Sequence, residues 1–165
     1  MASPNINIER VDYTNSRHGR DLRQLLLEYA EFETEADDPI DAGFFDRLPE
    51  LLHQFPTSFS VLAYRDQQPL GLTNCFFGFS TFLQKRLVNI HDVVVTASAR
   101  GQGVPGRMLA EVEAIAREND CCRLTLEVLD NNQSAWRAYE KLGFGRTPYH
   151  PENDTLFLQK TLSSR

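Results

Sequence analysis

The sequence predicts a mixed α/β domain: a mostly antiparallel central sheet of mixed strand direction, with helices packed against it. Two observations carry this. Residues 58–79 read as two strands around a short polar turn, which is a hairpin. From residue 87 onward the pattern changes to strand, helix, strand, helix, strand, which requires crossover connections and helices lying on a sheet. The chain has 165 residues, 41% hydrophobic and 24% charged, ordinary for one soluble domain with a core of its own. We therefore expect a single domain over 1–165.

The elements follow in order. Residues 6–11 alternate apolar and polar side chains, as a half-buried strand does. Residues 18–32 carry Leu22, Leu25, Leu26 and Tyr29 at helical spacing. An acidic run follows, with Glu31, Glu33, Glu35, Asp37, Asp38 and Asp41, and Pro39 breaks the helix there. A second helical segment is expected over 41–55, burying Phe44, Phe45, Leu48, Leu51, Leu52 and Phe55, with Pro49 as a possible interruption. Strands over 58–64 and 70–79 flank the turn Asp66-Gln67-Gln68-Pro69. A third strand, 87–95, ends in the β-branched run Val93-Val94-Val95. Val104, Met108, Val112, Ile115 and Ala116 then share one face of a helix over 104–119. A strand over 123–129, a helix over 134–142 closed by Gly143, a loop over 145–154 and a last strand over 155–162 complete the chain.

Between Val95 and that long helix lies Arg100-Gly101-Gln102-Gly103-Val104-Pro105-Gly106. A loop that ends a strand and opens a helix presents unpaired backbone N–H groups and the positive end of the helix dipole, which suits a phosphate or pyrophosphate. Gly101 and Gly103 remove side chains where a ligand would approach the backbone. An ordinary strand–turn–helix connection accounts for the loop alone equally well. The loop does resemble the acetyl-CoA loop of the GNAT N-acetyltransferases, Arg/Gln-x-x-Gly-x-Gly/Ala. Arg100 and Gly103 match. Pro105 replaces the usual Gly or Ala, and Gly106 follows one place later. The stretch Asn132-Gln133-Ser134-Ala135-Trp136-Arg137-Ala138-Tyr139-Glu140-Lys141-Leu142-Gly143-Phe144 resembles the second signature of that family, with Asn132, Ala135, Tyr139 and Gly143-Phe144 in place.

The resemblance implies the GNAT fold and an acetyl-CoA-dependent N-acetyltransferase, the cofactor's pantetheine arm lying between two splayed strands. It implies cofactor contacts from Val93, Val94 and Val95, from the loop residues Arg100, Gly101, Gln102, Gly103, Val104, Pro105 and Gly106, and from Asn132, Ala135 and Tyr139. It makes Tyr139 the acid that protonates the departing thiolate. From the residues alone, Tyr139 reads as a core tyrosine with a satisfied hydroxyl, Asn132 as a helix cap and Ala135 as a packing residue.

The segments Phe79-Ser80-Thr81, Ile90-His91-Asp92 and Asp130-Asn131-Asn132-Gln133 look like the diamine branch of the family, the spermidine/spermine and thialysine acetyltransferases. That branch has Glu-Asp where this chain has His91-Asp92. A lysine-like amine has a pKa of about 10.4, so a base must take its proton near neutral pH, and His91 is of the right type. Ser80, His91 and Asp92 are candidate acceptor contacts, with Glu28 and Glu31 of the acidic run as further ones. A solvated helix face explains most of that run equally well, and a hydrogen-bonded strand-end carboxylate explains Asp92. The expected acceptor is a small cationic amine; a protein or peptide acceptor, or a non-catalytic acyl-CoA-binding module, stands as the alternative.

The net charge of −6 argues against nucleic acid as a partner. No apolar stretch is long enough for a bilayer, and residues 1–8 show no basic run leading into an apolar core, so the cytoplasm is the expected location. Cys75, Cys121 and Cys122 form no disulfide framework, and the four histidines show no metal-ligand spacing. Homodimers are common in the family; the cluster Phe76, Phe77, Phe79 and Phe82 suits such an interface or a core.

Overall fold

A computed structural model describes residues 5–33 and 40–145, the side chains of 31–33 excepted. It divides into two units, 1–127 and 128–165. The expected strand 155–162, nearly all of the loop 145–154 and most of the acidic run lie outside the described residues.

The first unit is built on five strands in the order β1-β2-β3-β4-β5: β1 (Asn7–Arg10), β2 (Ser58–Arg65), β3 (Gln68–Ser80), β4 (Lys85–Val95) and β5 (Leu124–Leu126). The first four are antiparallel to their neighbours and β5 runs parallel to β4, the mixed sheet expected from the sequence. Asp66 and Gln67 form the β2–β3 turn with φ of 48° and 70°, the left-handed pair that matches the twist of a two-residue hairpin.

Strand alternation sorts the sheet into two faces. On one, Leu62, Tyr64, Leu72 and Val94 pack against Leu22, Leu25 and Leu26 of α1 (Ser16–Glu33) and Leu52 of α2 (Leu48–Gln54). The other face takes α3 (Val104–Glu118), whose Val104, Met108, Leu109, Val112, Ile115 and Ala116 are buried. α3 approaches the sheet closely over Gly71. A Cβ there would stand 2.9 Å from the Val94 carbonyl oxygen and 3.1 Å from both Met108 Cε and Val104 Cγ1.

The second helix corrects the sequence reading. Residues 42–47 are turns, and α2 begins only at Leu48, with Pro49 in its first turn. Proline costs nothing there because that N–H has no intrahelical partner, so Pro49 opens the helix. Residues 41–47 therefore do not share its phase. Leu52 is buried, Phe45 and Leu48 are partly buried, and Phe44, Leu51 and Phe55 are exposed. Tyr29 is likewise exposed, at the margin of the α1 stripe. Phe76 packs on the core, while Phe79 and Phe82 are 62% and 88% exposed near the β3–β4 turn.

In the second unit, α4 (Gln133–Lys141) is capped at both ends. Asn132 Oδ1 accepts the Ala135 N–H at 3.1 Å. At the other end Phe144 N–H reaches the Tyr139 carbonyl and Gly143 N–H the Glu140 carbonyl, both at 3.0 Å. With Gly143 at φ 88° this is a Schellman motif, and the Tyr139 and Phe144 rings meet edge to face at 5.9 Å as its apolar contact.

Candidate active site

β4 carries an irregularity where the sequence placed His91 and Asp92. Asn74 pairs with Asp92 and Cys75 with Ile90, so His91 is an extra residue with no partner on β3. In regular strand, neighbours point to opposite faces; a bulge lets both point to one. The His91 ring meets Phe76 edge to face at 5.7 Å, and Asp92 Oδ2 accepts from Asn74 Nδ2 at 2.9 Å. Phe76 and Asn74 are two apart on β3, so His91 and Asp92 lie side by side on the face that α1 and α2 cover. His91 is exposed and Asp92 half-buried.

The parallel ladder to β5 pairs Val88, Asn89 and Ile90 with Leu124, Thr125 and Leu126 and goes no further. β5 is thus three residues long rather than seven. Beyond the bulge, Asp92–Val95 keeps β3 on one side and has no strand on the other among the described residues. Such an edge offers backbone donors and acceptors to an extended ligand, as an added strand would.

The edge runs into the glycine loop. After a 3₁₀ turn (Ala97–Ala99) the chain is extended at Arg100 and turns left-handed at Gly101 and Gly103, with φ of 73° and 74°. A Cβ at either glycine would meet nothing within 4 Å: the loop faces open space, and only glycine adopts these angles without strain. Val104 and Gly106 then present the unpaired N–H groups of the first turn of α3, while Pro105 has none to give. The Gln102 side chain is engaged within the protein. Its Nε2 donates to the Ser98 carbonyl at 2.7 Å, and its Oε1 accepts from the Arg65 guanidinium. It therefore braces the loop and leaves its main chain to face a ligand. This open loop, the helix N-terminus and the unpaired strand edge are what an acyl-CoA needs: donors for a pyrophosphate and a backbone edge for the pantetheine amides.

The other expected site residues are placed as follows. Ser80 ends β3 opposite Lys85, and its Oγ accepts the Leu83 N–H at 3.3 Å. It caps the β3–β4 turn, six residues along β3 from the Asp92 row and so about 20 Å away, and is not brought together with His91. Glu28 is on α1, lining an open groove with Arg20, Arg23, Gln24, Ala42 and Asp46, and Oε1 accepts from Gln24 at 2.9 Å. The side chain of Glu31 lies outside the description. Asn132 caps α4, which carries Ala135 and Tyr139; these two are four apart and share a face. Cys75 is buried, and burial pushes its thiol up to about 12, with the charge of Asp92 adding to the effect; it stays protonated and inert near neutral pH.

Sequence reasoning missed Tyr13, Ser60, Asn74 and Arg65. The signal for Ser60 and Asn74 was present: both are polar at positions where strand alternation calls for an apolar side chain.

Comparison with known proteins supplies the family. The model of the acetyltransferase (GNAT) family matches residues 19–144. The chain is 29% identical over 142 residues to the uncharacterized N-acetyltransferase YhfO of Bacillus subtilis (strain 168), covering 86% of this chain and 89% of that one. It is 28% identical over 130 residues to a thialysine N-epsilon-acetyltransferase of Bos taurus, covering 74% and 75%. Among solved structures, an integron cassette protein from the mobile metagenome of V. cholerae superposes with a TM-score of 0.78 at 19% identity, covering 94% and 93%. An aminoglycoside acetyltransferase from an uncultured soil metagenomic sample gives 0.75 at 17%, covering 96% and 97%; at these identities the likeness speaks for the fold. With the family model spanning most of its length, this chain belongs to the GNAT acetyltransferases and is an enzyme whose acetyl donor is acetyl-CoA.

Proposed function

We propose that the protein transfers an acetyl group to the primary amine of a small cationic acceptor, polyamine- or lysine-like, by direct attack in a ternary complex. The observation that carries this reading is the bulge in β4, which sets a carboxylate and an imidazole side by side on one face. The similarity to a thialysine N-epsilon-acetyltransferase supports the same acceptor class.

Bound acetyl-CoA supplies an activated acetyl thioester. Around it the chain's own groups have separate tasks. The loop 100–106 holds the phosphates through its main chain, and the edge of Val93–Val95 holds the amide-bearing arm. A backbone N–H near Val93 polarises the carbonyl, as an oxyanion hole does. Asp92 receives the acceptor as an ammonium ion. An imidazole nitrogen of His91 takes one proton from it and releases that proton to solvent, to which the ring is exposed. The Tyr139 hydroxyl gives its proton to the departing sulfur and is refilled by the proton that the new amide nitrogen sheds. Cys75, buried and protonated, takes no part, which favours direct attack over an acyl-enzyme. Glu28 contributes negative charge along α1. The proposed setting is the cytoplasm, in keeping with three free cysteines, and the family resemblance adds a homodimer, open to test by sedimentation.

The deciding experiment is thiol release from acetyl-CoA across polyamines, lysine analogues, aminoglycosides and short peptides. Turnover is expected with diamines and lysine analogues, and His91→Ala should lower kcat/KM by about 100-fold or more. Turnover on peptides alone would overturn the small acceptor. Silence on every amine, with acetyl-CoA binding shown by calorimetry, would overturn the catalytic reading.

A further inference from the structure

Ser60, Asn74 and Asp92 are direct cross-strand partners, Ser60 opposite Asn74 and Asn74 opposite Asp92. They form one row across β2, β3 and β4. Ser60 and Asn74 are 2% and 3% exposed, among Leu62, Tyr64 and Leu72. Polar groups at such depth are costly unless hydrogen-bonded, and these satisfy one another. The Tyr13 hydroxyl lies 2.8 Å from Ser60 Oγ. Ser60 Oγ donates to Asn74 Oδ1 at 2.6 Å, and Asn74 Nδ2 donates to Asp92 Oδ2 at 2.9 Å.

The last member fixes the direction of the whole chain. A carboxylate only accepts, so Asn74 turns its NH₂ to Asp92 and its carbonyl oxygen to Ser60. Ser60 has one hydrogen, used on Asn74, and must accept from Tyr13. Every donor thus points towards Asp92. Thr73 Oγ1 also donates to the Asp92 main-chain carbonyl at 2.8 Å, fixing the backbone beside the bulge. No hydrogen bond reaches Asp92 Oδ1 among the described residues. An apolar side chain would fill position 74 as well as the amide does; the amide is required because a carboxylate stands beside it.

We propose that Tyr13, Ser60 and Asn74 are positioning residues that hold Asp92 in one orientation, with Oδ1 presented to the acceptor's ammonium group, and so set the enzyme's preference for cationic amines. This rests on Asp92 being the acceptor's anchor, and the test separates the two. With putrescine and L-lysine as acceptors, Asp92→Asn is expected to raise KM about tenfold or more, the usual worth of a hydrogen bond to a charged group, with acetyl-CoA affinity unchanged. Asn74→Leu should raise the same KM by a comparable factor, with kcat changed less. The double variant should be no worse than Asp92→Asn alone, because residues acting through one another do not add. Tyr13→Phe removes one hydroxyl from a half-buried site and should raise KM about two- to threefold; it decides the matter if Asn74→Leu does not fold. Effects that multiply in the double variant would overturn the proposal. So would an unchanged KM in Asn74→Leu and Tyr13→Phe where Asp92→Asn raises it. An unchanged KM in Asp92→Asn would overturn the anchor itself.

Discussion

One inserted residue decides what His91 can do. In a regular β4 its ring would point to the face opposite Asp92; on the bulge it lies against Phe76 and beside Asp92. The chemistry asked of the two differs, so their variants should differ in kind: His91→Ala acts on kcat, Asp92→Asn on the acceptor's KM. The proposed acid is checked in the same way. Tyr139→Phe keeps the ring that packs on Phe144 and loses only the hydroxyl. It should lower kcat by about 100-fold with acetyl-CoA affinity retained, and an unchanged kcat would remove the acid role. Cys75 supplies a contrasting residue. Its thiol is raised from 9.0 to about 12 by burial, so folding favours the neutral form. That contribution is complete below pH 9 and fades as pH rises towards 12. In a native thiol titration near neutral pH with a disulfide reagent, no more than two cysteines should react, Cys121 and Cys122 being half-buried and Cys75 buried. The third should appear on unfolding, and Cys75→Ala should still turn over. Three reactive thiols in the native protein would contradict this.

At the scale of elements, the cofactor loop is positioned by the helix it opens, and that helix by the contact over Gly71. The apolar stripe of α3 was legible because five of its six buried residues recur at helical spacing. What the stripe could not disclose was how near the helix lies, since that depends on a glycine on another element. Gly71→Ala puts a methyl group 2.9 Å from a main-chain oxygen and 3.1 Å from two side chains of α3. Overpacking of this kind costs about 1–3 kcal/mol, relieved by pushing Val104 and the first turn of α3 outward. The expected result is a lower melting temperature together with weaker acetyl-CoA binding by calorimetry, although residue 71 is in no proposed cofactor contact. A lower melting temperature with unchanged cofactor affinity would show that the loop is held independently of α3. The bulge was illegible for a similar reason. Asn89 and Asp92 are poor strand formers, but neither marks where a bulge falls; the extra residue exists only relative to the register of β3. Pro49, conversely, was visible but ambiguous, because proline both interrupts and opens helices, and only the phase of Phe44 and Phe45 against Leu52 separates the two.

For the molecule as a whole, a mixed and mostly antiparallel sheet followed from the run of elements, while the long-range polar contacts did not, because partners a hundred residues apart leave no local pattern. Arg10 of β1 is such a case. It donates to Glu111 at 2.6 Å and to both oxygens of Glu118 at 2.7 Å, tying the first strand of the sheet to α3. The contacts are exposed, so they contribute little at neutral pH in salt, yet they leave a mark in the pH dependence of folding. The Arg10 hydrogen bond holds the Glu118 carboxyl below its usual 4.5. At Glu9, partial burial pulls upward, but the His18 hydrogen bond and the charge of Arg17 outweigh it and lower the carboxyl. Hydrogen bonds from Thr14 do the same for Asp12, below its usual 3.8. In each case the folded chain binds fewer protons than the unfolded one in the acid range. Their contribution is therefore complete above the unfolded values and is lost as pH falls through the lowered ones. Urea midpoints should hold between pH 7 and 5 and then fall steadily to pH 3. Arg10→Met frees Glu118 to titrate normally, so the drop between pH 5 and 3 should shrink by the same small amount as the midpoint falls at pH 7. If the drop is the same in the variant, the acid sensitivity resides in the β1–α1 region around Glu9 and Asp12, and the link from β1 to α3 carries none of it.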